Sequence, residues 1–175
     1  MVISPMKSQK SIFKLRLINT FIFILLLCIQ YNGVFNIKIA QASPLLFLAL
    51  LVALCMFCSE LTAAVSGVIL GIFVDTVTST LPGFNAILLP LLGLAIALIV
   101  RYLFNNNIFS AIALCAVCST LYYLLRWIFG FAFSSSLAEN LTYLLQTALP
   151  SVLYTTIFII PFYYLEKALY KKFYK

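Results

Sequence analysis

Two kinds of residue in this chain have the type and spacing to do chemistry: paired cysteines and one isolated carboxylate. Cys55-Met56-Phe57-Cys58 and Cys115-Ala116-Val117-Cys118 are two C-x-x-C pairs, the spacing that ligates zinc. Zinc knuckles place such pairs in loops, whereas both pairs here lie inside apolar runs. The chain has no histidine to complete a mixed ligand set. Cys58 is expected near one membrane surface and Cys115 and Cys118 deeper, so one shared tetrahedral site does not fit. Small residues that pack helices together are the better account, and no metal or cofactor is expected. Catalysis has equally little footing. There is no histidine base and no phosphate loop of the G-x-x-x-x-G-K form. The four acids, Glu60, Asp75, Glu139 and Glu166, stand on different segments. Ser134-Ser135-Ser136 follows Gly130 and reads as a loop rather than a nucleophile. An enzyme is not expected.

The carboxylate is Asp75, which closes the uncharged run Ala63 to Val74. Ala63, Gly67, Gly71 and Asp75 recur every fourth residue, so a helix gathers them into one stripe. Small residues at that spacing let a second helix approach backbone to backbone, and lipid does not tolerate the acid unpaired. The stripe is therefore expected to meet protein. One reading makes Asp75 a turn residue bonding the amides of Thr76 to Thr78, although a carboxylate at a helix C-terminus opposes the dipole. The other gives it a specific partner. Counted from the inner helix ends, Asp75 lies about 22 Å up its helix and Arg126 about 27 Å up the fifth. An Asp75–Arg126 ion pair near the outer leaflet is within reach. With no second intramembrane acid or histidine to continue a relay, a structural or partner-contact role is favoured over ion translocation.

The elements that must position these residues follow from composition. The chain has 175 residues, 65% hydrophobic and only 9% charged, too few charges to cover a soluble domain of this length. The expectation is an all-α polytopic membrane protein, one integral domain over residues 1–175. Six spans are predicted: Leu15 to Tyr31, Pro44 to Cys58, Leu61 to Thr76, Asn85 to Phe104, Ile108 to Phe129, and Leu149 to Leu165. Pro44 to Thr76 would give roughly 50 Å of continuous helix, too much for one crossing, so a tight turn at Glu60 divides it. With both termini cytoplasmic, Lys7, Lys10, Lys14, Arg16, Arg101, Lys167, Lys171, Lys172 and Lys175 lie inside, and only Lys38 and Arg126 lie outside. That bias follows the positive-inside rule. Five spans would leave one basic terminus on the wrong side.

Punctuation residues refine the picture. Leu81-Pro82-Gly83 suits a type II turn, with Gly83 supplying the positive φ, and Asn85 can then cap the fourth helix. Pro90 followed by Gly93 predicts a kink or a close crossing. Pro150 suits the first turn of the sixth helix and Pro161 bends its inner end. Gly130 to Gln146 is either an amphipathic helix flat on the outer leaflet or a plain re-entry loop. Ala40-Gln41-Ala42 has the form of a signal-cleavage site. However, Gln30 to Ala42 is long for one and contains Lys38, so the first span is read as retained. Lys171, Lys172 and Lys175 alternate with Tyr170, Phe173 and Tyr174, so anionic lipid is expected at the basic termini, chiefly as a topology signal.

Three stretches together resemble a known family: Pro44-Leu45-Leu46-Phe47, then Gly67-Val68-Ile69-Leu70-Gly71-Ile72-Phe73-Val74-Asp75, then Pro82-Gly83-Phe84-Asn85-Ala86. The order is similar to that of the bacterial rod shape-determining protein MreD family, with its Gly-rich helix ending in an acid and its short loop. Leu149 to Thr156 resembles that family's last helix. Gly67 to Ala86 is the specific part, and Phe73-Val74 departs from the usual leucines. The resemblance implies a six-helix fold like the substrate-binding subunits of energy-coupling-factor transporters. It also implies a non-enzymatic scaffold of cell-wall elongation in the bacterial cytoplasmic membrane. Such a scaffold would bind the single-pass MreC, support the MreB filament, and help place RodA and a class B penicillin-binding transpeptidase in peptidoglycan synthesis. No nucleic acid is expected as a partner. Ala63, Gly67, Gly71, Asp75, Pro82, Gly83 and Asn85 would form the partner or helix-packing site. The rival expectation is a vitamin-capturing subunit of an energy-coupling-factor transporter, whose pocket lining would be thin: Asp75, Asn85, Thr142 and Gln146.

Overall fold

The computed structural model describes residues 9–31, 45–78, 83–102, 106–133 and 147–174, and these residues are helical apart from short turns. Six helices follow one another: α1 (Gln9–Tyr31), α2 (Leu46–Cys55), α3 (Glu60–Thr78), α4 (Phe84–Tyr102), α5 (Ile108–Phe133) and α6 (Leu149–Tyr174). Each expected span corresponds to one helix. The short loop around Pro82, the segment 134–146 and the Ala40-Gln41-Ala42 stretch lie outside the described residues.

Four helices, α3 to α6, are long and apolar enough to cross a membrane. The second is not. It has ten residues, about 15 Å of rise against a hydrocarbon core of about 30 Å. The helical part of the expected span from Pro44 to Cys58 is by itself shorter than the hydrocarbon core. Its apolar run has another cause. Every residue from Leu46 to Cys55 is buried, and α2 packs against all five other helices. A helix that is apolar all round belongs inside a bundle as readily as in lipid.

Such a helix must also satisfy its terminal backbone groups without water. The structure supplies partners from other helices. At the start of α2, the Leu45 amide donates to Thr155 Oγ1 at 3.0 Å, and Thr155 in turn donates to the Ser151 carbonyl. At its end, Asn106 Nδ2 donates to the Met56 carbonyl at 2.7 Å. Tyr163 Oη then donates to the Asn106 carbonyl at 3.2 Å. Phe57 stacks against Tyr163 and Tyr170 at the same end. Leu45 meets Thr155 and Phe57 meets Tyr163, so α2 and α6 run in the same direction.

After α2 the chain turns through Cys58 and Ser59. The Ser59 carbonyl accepts the first α3 bond, from Ala63, and its hydroxyl meets Thr62 Oγ1 at 3.0 Å. Glu60 in the first turn complements the helix dipole and pairs with Arg101 at the end of α4. That pair clasps the open end of the α3–α4 hairpin. The sixth helix continues past the expected end at Leu165 to Tyr174. Apolar patterning stops there because exposed Lys167, Lys171 and Lys172 begin, but charged residues on an outer turn do not end a helix.

The α3–α4 hairpin is the closest helix pair. A methyl group on Gly67 would come within 2.6 Å of Pro90 Cα, and one on Gly71 within 2.6 Å of Ala86 Cα. Gly93 reciprocates from α4, where a methyl would meet the Ala63 carbonyl oxygen at 2.9 Å. These approaches are too short for any real side chain, so the two backbones touch only because glycine stands at each crossing. Pro90 lies at the contact with Gly67, where its missing N–H leaves a smooth surface for the neighbouring backbone. We expect Gly67→Ala and Gly71→Ala each to cost about 1–3 kcal/mol through overpacking. Thermal unfolding of the detergent-purified chain, followed by circular dichroism, measures this. An unchanged midpoint for both variants would refute the crossing.

Candidate functional site

Asp75 stands at the turn end of that hairpin, in the last turn of α3. Across the turn, α4 starts at Phe84, and Gly83 occupies the position where a capping side chain would normally sit. Its carbonyl accepts the first helical bond, from Ile87 at 3.2 Å. Its φ of 83° is left-handed, with no atom near where a Cβ would project. The turn requires glycine for its backbone, so position 83 cannot also provide a capping oxygen.

Asp75 provides it from the preceding helix. Its Oδ1 accepts from the Asn85 amide at 3.1 Å and from Asn85 Nδ2 at 2.8 Å. Its Oδ2 accepts from the Ala86 amide at 2.9 Å. The carboxylate thus covers the second and third free amides of α4, as a local cap would, while being ten residues upstream. Negative charge at a helix N-terminus is favourable, and bonds from N–H to an ionised acceptor are among the stronger hydrogen bonds. The acid that opposed the dipole of its own helix complements that of the next.

Asn85 carries the network onward. It is buried, and its Oδ1 accepts from Tyr122 Oη on α5 at 2.8 Å. All three polar side chains are therefore linked, with the amide donating to the carboxylate and accepting from the phenol. Around them sits an aromatic cluster. Tyr122 packs edge-on against Phe47 of α2 at 6.0 Å and against Tyr123 at 5.9 Å. Phe84 lies 6.2 Å from Tyr122 and 5.5 Å from Phe129. The rings shield the bonds from competing water, which strengthens them.

This geometry locates the expected site residues. Asn85 is not the cap of α4 but its second residue, and it donates to the cap. The hydrogen bonds of Asp75 run to the Asn85 and Ala86 amides and to the Asn85 side chain, all at the start of α4. Arg126 lies half-buried one turn beyond Tyr122 on α5. Ala63, Gly67 and Gly71 share one face with Asp75, and that face is covered by α4 of the same chain. As a surface for another protein it is already occupied. Pro82 lies outside the described residues. Tyr122 was not anticipated, because a lone phenol in an aromatic-rich apolar run carries no periodic signal.

Two further polar sites escaped the sequence reading. One is the Glu60–Arg101 clasp. The other joins α1 to α6, where Asn19 Nδ2 donates to Glu166 Oε2 at 3.3 Å and both residues are buried. No group of three metal-ligating side chains occurs among the described residues. Cys55, Cys115 and Cys118 are buried and reduced. Cys115 Sγ contacts the Thr155 carbonyl at 3.7 Å, which ties α5 to α6.

What the arrangement does chemically is hold helices in register. We expect Asp75→Ala to cost about 1–3 kcal/mol by leaving buried donors unpaired. Asp75→Asn should lose less, since one acceptor oxygen remains. Tyr122→Phe should cost roughly 1 kcal/mol. A double-mutant cycle between positions 75 and 122, read by thermal unfolding, should be non-additive because both act through Asn85. Strict additivity would sever the network.

The family model described as rod shape-determining protein MreD matches residues 10–173, nearly the whole chain. No curated protein and no solved structure matches it.

Proposed function

The chain belongs to the MreD family of rod shape-determining proteins, and from that premise we propose that it is a non-enzymatic membrane scaffold of the cell-elongation machinery. In this reading it lies in the bacterial cytoplasmic membrane with both termini cytoplasmic. It binds MreC, supports the MreB filament, and helps organise peptidoglycan synthesis by RodA and its class B transpeptidase. The coarser part, a multi-pass membrane protein with a role in rod shape, follows from the family match and the long apolar helices.

The observation that supports a scaffold best is the use made of the one distinctive carboxylate. Asp75 is consumed in capping α4, and Asn85 and Tyr122 are consumed in holding Asp75 and each other. Residues spent on helix register favour a rigid platform. The basic residues Arg101, Lys167, Lys171 and Lys172 gather toward one end of the bundle, the end that the positive-inside rule assigns to the cytoplasm. Because α4 covers the glycine stripe, a partner's transmembrane helix would meet the outward faces instead. On α3 these carry Leu61, Val65, Val68 and Ile72, all exposed.

Affinity purification of the full chain from mild detergent tests the reading. MreC is expected to come with it, and Asp75→Ala should lower its recovery in step with the lost thermal stability. Recovery of a coupling ATPase in place of MreC would overturn the proposal in favour of transport.

A further inference from the structure

Asn19 of α1 and Glu166 of α6 meet inside the bundle, 8% and 3% exposed. Asn19 Nδ2 donates to Glu166 Oε2 at 3.3 Å, which satisfies one polar atom of each side chain. The other atom of each, Asn19 Oδ1 and Glu166 Oε1, is buried without a hydrogen-bond partner. If the carboxyl is ionised, both orphans are acceptors and neither can satisfy the other. Two unpaired acceptors in one buried contact, one of them charged, are costly.

Among the described residues no cation offsets such a charge. Lys167, the next residue of α6, is exposed and lies over the Tyr163 ring at 5.6 Å. The titratable neighbours are uncharged. Tyr163 and Tyr170 stand one turn away on α6 itself. Cys55 of α2 is near enough to feel a charge on Glu166, and Cys115 and Cys118 of α5 are buried thiols.

One proton removes the difficulty. Placed on Oε1, it turns that atom into a donor, and Asn19 Oδ1 is the acceptor still free in the contact. A carboxylic acid and a carboxamide then close a ring of two opposed hydrogen bonds, N–H to oxygen and O–H to oxygen. The first of these is the bond in place at 3.3 Å. We propose that Glu166 binds a proton in the folded bundle and, as a neutral acid, closes this ring with Asn19. The joint between the first and last helices thereby depends on pH. Losing the proton breaks one bond and leaves a buried charge, so a rise in pH loosens α1 from α6. The proposal stands on these side chains and is independent of the scaffold reading.

Infrared difference spectroscopy of the full-length chain in detergent, near neutral pH, reads the protonation state directly. The wild type minus Glu166→Gln spectrum should contain the carbonyl band of a neutral carboxylic acid, shifted in D2O. Glu60→Gln, which removes the acid paired with Arg101, should leave that band in place. Thermal unfolding between about pH 5 and about pH 8, above the ordinary glutamate value of about 4.3, reads the linkage. The folded chain holds a proton that the unfolded chain has released. The stabilisation is therefore full below that value and declines as pH rises. The wild-type midpoint should fall by about 3–5 °C for each pH unit over which the proton stays bound. Glu166→Gln donates to Asn19 Oδ1 and accepts from Nδ2 without a proton to lose. It should lack the decline and be at least as stable as wild type at the upper end. A carboxylate band alone would overturn the proposal, whether a sodium ion or a basic side chain such as Arg16 holds the charge. So would a parallel pH dependence in Glu166→Gln, or failure of that variant to fold near neutral pH.

Discussion

The first turn of a helix presents free amides, and where the chain buries them it must bring an acceptor or leave them unpaired at a cost of about 1–3 kcal/mol. At the start of α4 the obvious donor of that acceptor, the residue at the turn, is a glycine held at positive φ. The acceptor comes instead from Asp75, which bonds the Asn85 and Ala86 amides. This constraint reaches through the bundle. It fixes where α3 must end relative to α4, so the register of the glycine stripe is set by the cap. Gly71 then falls against Ala86 and Gly67 against Pro90, and neither crossing survives a shift of one turn. Tyr122 extends the same restraint to α5 through Asn85.

Helix association in lipid draws little from burying hydrocarbon, because lipid is as apolar as leucine. Close packing and hydrogen bonds carry it. The two halves of this bundle use these in different proportions. The α3–α4 hairpin relies on backbone contact closed at one end by Asp75 and at the other by Glu60 and Arg101. The α2–α5–α6 group relies on side chains bonded to backbone, through Thr155, Asn106 and Cys115. Both solutions spend polar residues inside the protein, consistent with a chain in which charged residues make up only 9%.

Helix number and most boundaries were legible in the sequence because runs of apolar residues end where polar breaks begin. The stripe from Ala63 to Asp75 was legible because a four-residue spacing has one geometric meaning on a helix. What joins that stripe was not. Asn85 before an apolar run looks like a local cap, and no spacing rule says that an acid ten residues earlier does the capping. Tyr122 lies 37 residues beyond Asn85 and Glu166 lies 147 beyond Asn19, separations at which pattern carries no information about contact. The burial of the second helix was not legible for a physical reason: a window of apolar residues looks the same whether it faces lipid or five other helices.

That second helix has a consequence for how the molecule is built. In the usual order of events, each membrane helix is stable alone in lipid before the helices associate. A ten-residue segment with Thr155 and Asn106 holding its ends has no such independent existence. Its neighbours on both sides in sequence, and α6 from the far end of the chain, must be in place before it has a home. The keystone is thus made early in synthesis and seated late, and a truncated chain lacking α6 would leave it stranded.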